Sequence, residues 1–149
     1  MRICVAGAAG AFGMKHLDAL SAIDGVEVTS VMGVEADNLE EFASARGIAH
    51  ASKDLAECLA RDDVDAVILA TPTQVHASQA IQCLRAGKHV LVEKPLGVSV
   101  EECEELAATV HDSNLILQVG NNRRFDPGVA FARAFIQDEI GELMAITAW

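Results

Sequence analysis

The sequence predicts an α/β fold, a doubly wound parallel sheet, and three observations carry that expectation. Short β-branched runs alternate with stretches of helical period along nearly all of the 149 residues. The apolar fraction is 51%, yet the chain has no Tyr, one Trp and five Phe, so Ala, Val, Ile and Leu must build the core, as they do where helices pack on parallel strands. The length is that of about one domain, large enough to bury a core without staples.

Strands are predicted at Ile3–Ala6, Val26–Met32, Ala66–Leu69, His89–Val92 and Leu115–Val119, each bounded by Gly, Pro, Asn or Asp. The glycine-rich "GAAGAFG" after the first strand opens a helix that turns Leu17 and Leu20 inward. Asp37 and Glu40 have the spacing of a capping box, and Gly47 stands where that helix would end in a left-handed residue. The segment Gln74–Ala86 places Ala77, Ala80, Ile81 and Leu84 on one helical face, with Gly87 past its end. Ser99–Ser113 repeats the pattern with Cys103, Leu106, Ala107 and Val110, behind a capping box of Ser99 and Glu102. Asp126 and Pro127 open one more helix, and after Gly141 comes a strand, "LMAITAW", apolar on both faces and wanting cover on both.

The net charge of −11 repels phosphate backbones and anionic lipid, which argues against nucleic acid or a membrane as partner. No stretch reaches the roughly 18 apolar residues that span a bilayer, and the opening "MRICVAGAAGA" is too Gly-rich for a secretory leader. Cys4, Cys58, Cys83 and Cys103 are far apart with no C-x-x-C, so neither a metal site nor a disulfide framework is expected. Cysteines used as small buried residues fit a reducing cytoplasm, the expected location.

Five sites fall at predicted strand ends, where open parallel sheets bind ligands. In "GAAGAFG", Gly10 and Gly13 take the second and third places of the G-x-G-x-x-G pattern. Ala8 stands at the first, with Gly7 one residue upstream. Such glycines let the backbone approach a pyrophosphate, which the free amides at Ala11, Phe12 and Gly13 would meet. The second strand ends at Gly33, which offers no carboxylate to an adenosine ribose. Glu35 and Asp37 lie close and no Arg or Lys follows, so the cofactor is NAD or NADP. In "ATPTQVH", Thr71 and Pro72 make a rigid turn, Thr73 can cap the next helix, and His76 is either a polar first-turn residue or a ligand contact. Glu93, Lys94 and Pro95 follow the strand His89–Val92, and Asn122, Arg123 and Arg124 follow Leu115–Val119. Three cations on one edge of an acidic chain point to an anion, a phosphate or a carboxylate.

Together "GAAGAFG", "ATPTQVH", "VEKPLG" and "GNNRRFDP" resemble the Gfo/Idh/MocA family of NAD(P)-dependent oxidoreductases, in the family's order and spacing. The resemblance implies a Rossmann cofactor domain over residues 1–122. Residues 123–149 would then be the first helix and strand of a truncated α+β domain for substrate and subunit contacts. It implies hydride transfer between NAD or NADP and a hydroxyl or hemiacetal carbon of a small molecule. Lys94 would touch the substrate as the catalytic residue, Glu93 and Pro95 would shape the nicotinamide pocket, and Asn122, Arg123 and Arg124 would meet the substrate. Within the family, "ARDDVDAVILATPTQVHASQAI" and "AGKHVLVEKPL" are similar to 4-carboxy-2-hydroxymuconate-6-semialdehyde dehydrogenases, and "QVGNNRRFDPG" to inositol dehydrogenases.

Members of the family carry a D-x-x-x-H motif with an acid–base histidine in the second domain, and nothing here matches it. These 149 residues are therefore expected to bind cofactor without steady turnover, and to self-associate through the apolar strand that ends at Trp149. Two alternatives stay open. One is a non-catalytic dinucleotide-binding module that pairs with a partner chain. The other, a dihydrodipicolinate reductase, is prompted by "GAAGAFG" but has no place for "VEKPL".

Overall fold

Six parallel strands lie in the order β3-β2-β1-β4-β5-β6 in a computed structural model that describes residues 1–33, 38–142 and 144–145. The central pair is β1 (Arg2–Ala6) and β4 (Ala66–Leu69), in register from Ile3 opposite Ala66 to Ala6 opposite Leu69. Both are apolar runs with covered faces, as a strand flanked on each side must be. The chain leaves β1 toward β2 (Glu27–Met32) and β3 (His50–Ser52), then returns past β1 to β4, β5 (His89–Val92) and β6 (Leu117–Val119). This reversal is that of a dinucleotide-binding Rossmann sheet and sets a crevice above β1 and β4.

Helices cover both faces. On one, α1 (Ala11–Leu20) and α2 (Leu39–Ser44) bury Leu17, Leu39 and Ala43 against Ile3, Val5, Val31 and Ile68. On the other, α3 (Leu55–Leu59), α4 (His76–Arg85) and α5 (Val100–His111) bury Leu55, Leu59, Ala77, Ala80, Ile81, Leu84 and Leu106 against Val67, Leu69, Val90 and Val92. The inward face expected of Gln74–Ala86 is the one observed, and α5 fully buries only Leu106 because it covers the sheet's outer strands. The last helix, α6 (Pro127–Asp138), buries no residue and exposes Phe131, Phe135 and Val129.

The punctuation holds with two corrections. Gly47 and Gly87 have positive φ, and Asp126 accepts from the amides of Gly128 and Val129 at the start of α6. Ser99 Oγ accepts from Glu102 N at 3.2 Å, while the Glu102 carboxylate reaches back to Val98 N, one residue earlier than the usual box. Thr73 caps no helix: it begins a 3-10 turn, Thr73–Val75, and α4 starts at His76 with Val75 at its cap position. The pair β3 and α3 was not expected, and the strand expected from Leu115 starts at Leu117. Asp37 of the expected capping box, Glu35, and most of "LMAITAW", Trp149 included, lie outside the described residues.

Cys4, Cys58 and Cys83 are buried thiols and Cys103 is half-buried, none in a disulfide. Burial pushes the Cys83 thiol up to about 12, so it behaves as an inert core residue. Among the described residues no helix is long and apolar enough to cross a membrane, and no cluster of His, Cys, Asp and Glu could hold a metal ion.

Candidate functional site

The crevice begins where β1 ends. Gly7 takes φ +77°, and a side chain there would overlap the carbonyl of Ala70 at the end of β4. The glycine that makes the turn is thus Gly7, one residue before the first fingerprint place, and Ala8 is tolerated there with its methyl buried and no positive φ. The loop hangs from β2: Gly7 N and Ala8 N both donate to Met32 O, at 2.8 and 3.2 Å, and Gly10 N donates to Gly7 O at 3.0 Å. A side chain on Gly13 would overlap Gly7 O and the backbone of Ala8, so only glycine lets α1 lie this close to the loop.

Gly10 is the N-cap of α1 and has no side chain to satisfy the helix's first amides, and no acid stands in the first turn. The amides at Ala11, Phe12 and Gly13 are left for an anion, with the positive end of the helix dipole behind them. Next to this, Gly33 is buried at the end of β2 and its amide donates to Ser52 O at 3.2 Å. A hollow beside it is lined by Glu40, Glu41 and Glu57, with Lys53 as its one cation among the described residues.

At the end of β5, Glu93 N donates to Leu69 O at 2.9 Å, fixing where the segment Glu93–Pro95 leaves the sheet. The Glu93 carboxylate accepts from His16 Nε2 on α1 at 2.9 Å and is largely buried against Gly120, where an added Cβ would come within 3.2 Å of it. The peptide bond Lys94–Pro95 is cis. Lys94 is exposed, and among the described residues its ammonium meets only the ring of Phe12, 5.8 Å from the centroid. Lys15 stands over the same ring at 5.3 Å.

The turn after β4 is held differently. Thr71 Oγ1 donates to Gln79 Oε1 at 2.7 Å, and Pro72 O accepts from Val75 N at 3.1 Å. His76 is only 2% exposed, with Nδ1 at 2.7 Å from Pro95 O and Nε2 at 2.7 Å from Thr71 O. Both nitrogens are therefore engaged by the protein itself. After β6, Asn122, Arg123 and Arg124 form an exposed 3-10 turn. Arg123 pairs with Asp126 at 3.6 Å, and Arg124 borders a groove along α6 with Arg133.

The fold thus brings Gly7, Ala8, Gly10–Gly13, Gly33, Thr71, Pro72, Glu93, Lys94 and Pro95 to one edge of the sheet, at the ends of β1, β2, β4 and β5. Asn122 to Arg124 follow β6 on that same edge but turn toward α6. His16 was not expected. Its signal in the sequence is weak, a polar residue three after Gly13 on a helix whose inward face is otherwise Gly13 and Leu17.

Residues 1–121 match the Gfo/Idh/MocA family, described as an oxidoreductase family with an NAD-binding Rossmann fold. The chain belongs to this family. It is 54% identical over 127 residues to 4-carboxy-2-hydroxymuconate-6-semialdehyde dehydrogenase of Sphingobium sp. (strain NBRC 103272 / SYK-6), an alignment covering 85% of this chain and 40% of that protein. The scyllo-inositol dehydrogenase of Lactobacillus casei, solved with NAD(H) and scyllo-inositol bound, superimposes with a TM-score of 0.88 at 28% identity, over 95% of this chain and 42% of that one. A 3-ketoreductase from Actinomadura kijaniata, solved with NADP and TDP-benzene, gives 0.84 at 31% identity, over 95% and 45%. The chain spans about two fifths of the length of these relatives. The glycine cradle, the open amides of α1 and the crevice between β1 and β4 fit a nicotinamide dinucleotide, as this family membership requires.

Proposed function

We propose that this chain is the cofactor-binding part of a dehydrogenase that moves a hydride between NAD or NADP and a small molecule. The carbon concerned would belong to a hydroxyl or hemiacetal of a sugar, a polyol or a carboxylate-bearing semialdehyde. The observation that carries the reading is Lys94: an exposed cation with no carboxylate or hydrogen-bond acceptor against it among the described residues, only the Phe12 ring, beside a glycine cradle at the carboxyl edge. A bound nicotinamide supplies hydride chemistry. Gly7, Ala8, Gly10, Ala11, Phe12 and Gly13 hold the pyrophosphate, Gly33 leaves room at the adenosine ribose, and Thr71, Pro72, Glu93 and Pro95 wall the nicotinamide half. Lys94 donates a hydrogen bond to the substrate oxygen and stabilises the negative charge that develops there. Asn122, Arg123 and Arg124 receive a substrate anion, which the similarity to a carboxylated semialdehyde dehydrogenase supports.

In this reading residues 1–122 are the cofactor domain and 123–149 begin a substrate and subunit domain, the protein is cytoplasmic, and it works as a homo-oligomer. Support comes from α6, which buries nothing of its own and offers Phe131 and Phe135 to a neighbour. The same exposed face favours a second reading, a dinucleotide-binding module that docks on a partner without turnover. Calorimetry with NADH and NADPH, followed by a turnover assay with inositols, hexoses and a carboxylated semialdehyde, separates the readings. The 149 residues are expected to bind cofactor without turning over. Absence of binding to either dinucleotide would sink both readings.

A further inference from the structure

We propose that two histidines, His16 and His76, brace the segment Glu93–Pro95 from opposite faces of the sheet, and that this brace sets the nicotinamide half of the site. The inference rests on the dinucleotide reading above. His16 comes from α1, on the face that buries Leu17, and His76 from the start of α4, on the face that buries Ala77 and Ala80. They grip one short segment at two points: His16 Nε2 lies 2.9 Å from the Glu93 carboxylate, and His76 Nδ1 lies 2.7 Å from the Pro95 carbonyl.

Hydrogen-bond chemistry makes both grips specific. An ionised carboxylate only accepts, so His16 must donate through Nε2. The Thr71 and Pro95 carbonyls also only accept, so the His76 ring sits between two acceptors and any bond to either of them is donated by a ring N–H. His76 therefore ties the turn after β4 to the turn after β5, two loops that adjoin the crevice from neighbouring strands. Its ring is 2% exposed, so neither bond has water as a ready substitute. Lys94 lies between the two anchor points, and its backbone position follows theirs. The glycine loop takes its own shape from Met32 O and Gly7 O, outside the brace. Loss of the brace should accordingly loosen the nicotinamide half and spare the pyrophosphate half. Both histidines are positioning residues: each acts through the segment it holds.

Calorimetry on the 149-residue chain with NADH and with ADP tests this, ADP reporting the pyrophosphate half alone. His76→Leu keeps the apolar volume and removes the ring's polar contacts to both carbonyls, and should weaken NADH about tenfold, the scale of one or two buried hydrogen bonds, with ADP affinity within about threefold of wild type. His16→Leu should do the same more weakly, because its pair is less buried. His16→Gln and His76→Gln each restore a donor and should recover part of the NADH affinity. NADH and ADP affinities that fall in parallel, or NADH affinity unchanged in either Leu variant, would overturn the brace while leaving the dinucleotide site standing. A wild-type chain that binds neither probe would bring down the site reading and the brace with it.

Discussion

The two edges of the sheet treat polar groups in opposite ways. At the amino edge they are consumed within the chain. Arg2 grips Asp65 through its backbone amide at 2.8 Å and its guanidinium at 3.1 and 2.6 Å, Arg61 pairs with Asp63 at 2.6 Å, and Thr29 Oγ1 donates to Asp63 O at 2.7 Å. At the carboxyl edge, helix amides and Lys94 stay open among the described residues while the brace and the glycine contacts hold the backbone around them. Strand β5 shows the contrast in a single element. Lys88, just before it, donates to Arg61 O at 3.0 Å and Val64 O at 2.7 Å, whereas Lys94, just after it, faces a ring and solvent. One edge is finished by folding, and the other is left for a ligand to finish.

The sharpest way to break this contrast is Gly13→Val. Its side chain would overlap Gly7 O, so the loop and α1 must part, and we expect NADH affinity to fall about 100-fold together with a stability loss of about 2–3 kcal/mol. Calorimetry and thermal melting read the two. The lysine pair comes next. Lys88→Met should cost about 1–2 kcal/mol by stranding two carbonyls while the folded chain keeps its NADH affinity. Lys94→Met should leave the melting temperature within about 1–2 °C and, under the proposed dehydrogenase reading, depress kcat strongly in any form that turns over. Equal melting losses for both lysines would erase the distinction between the edges.

A smaller effect is expected at Gly120→Ala. The new methyl would crowd the Glu93 carboxylate, and NADH should bind about three- to fivefold more weakly with ADP unaffected, by calorimetry. The smallest concerns pH at the amino edge. Arg2 beside Asp65 holds that carboxyl well below the usual carboxylate range. The folded form is thus favoured by the ionised group at pH values above the unfolded carboxyl's, about 4. That contribution disappears as pH falls from there toward the folded value. Asp65→Asn should therefore lose less melting temperature than wild type between pH 6 and pH 2, the two curves converging in acid, and salt should shrink the gap because the pair is exposed.

Much of this was legible in the sequence where spacing carries it. The strand ends that build the crevice, the inward faces of α1 and α4, and the Asp126 cap all follow from local period and punctuation. Strand β3 did not, because a three-residue edge strand with one buried side chain, Ser52, has no alternation to see. His16 and the buried role of His76 were hidden for another reason. Their partners lie 77 and 19 residues away, and one of those partners is a backbone carbonyl, which leaves no trace in residue type. The displaced first glycine is legible in the sequence, and the structure gives its reason: the positive backbone angle belongs to Gly7 and not to Ala8.

The glycine loop's suspension from Met32 O also bears on which substitutions the loop can accept. A loop whose shape is fixed by main-chain bonds constrains the positions where a methyl would collide or φ must be positive, here Gly7 and Gly13 and, more mildly, Gly10, whose Cβ would lie 3.2 Å from Gly7 O. Ala9 and Ala11 are exposed and meet no such limit, whereas Ala8 is buried in the core and has room for little beyond its methyl. A motif search that insists on glycine at the first fingerprint place would discard this chain, whose loop nevertheless makes the tight turn through Gly7.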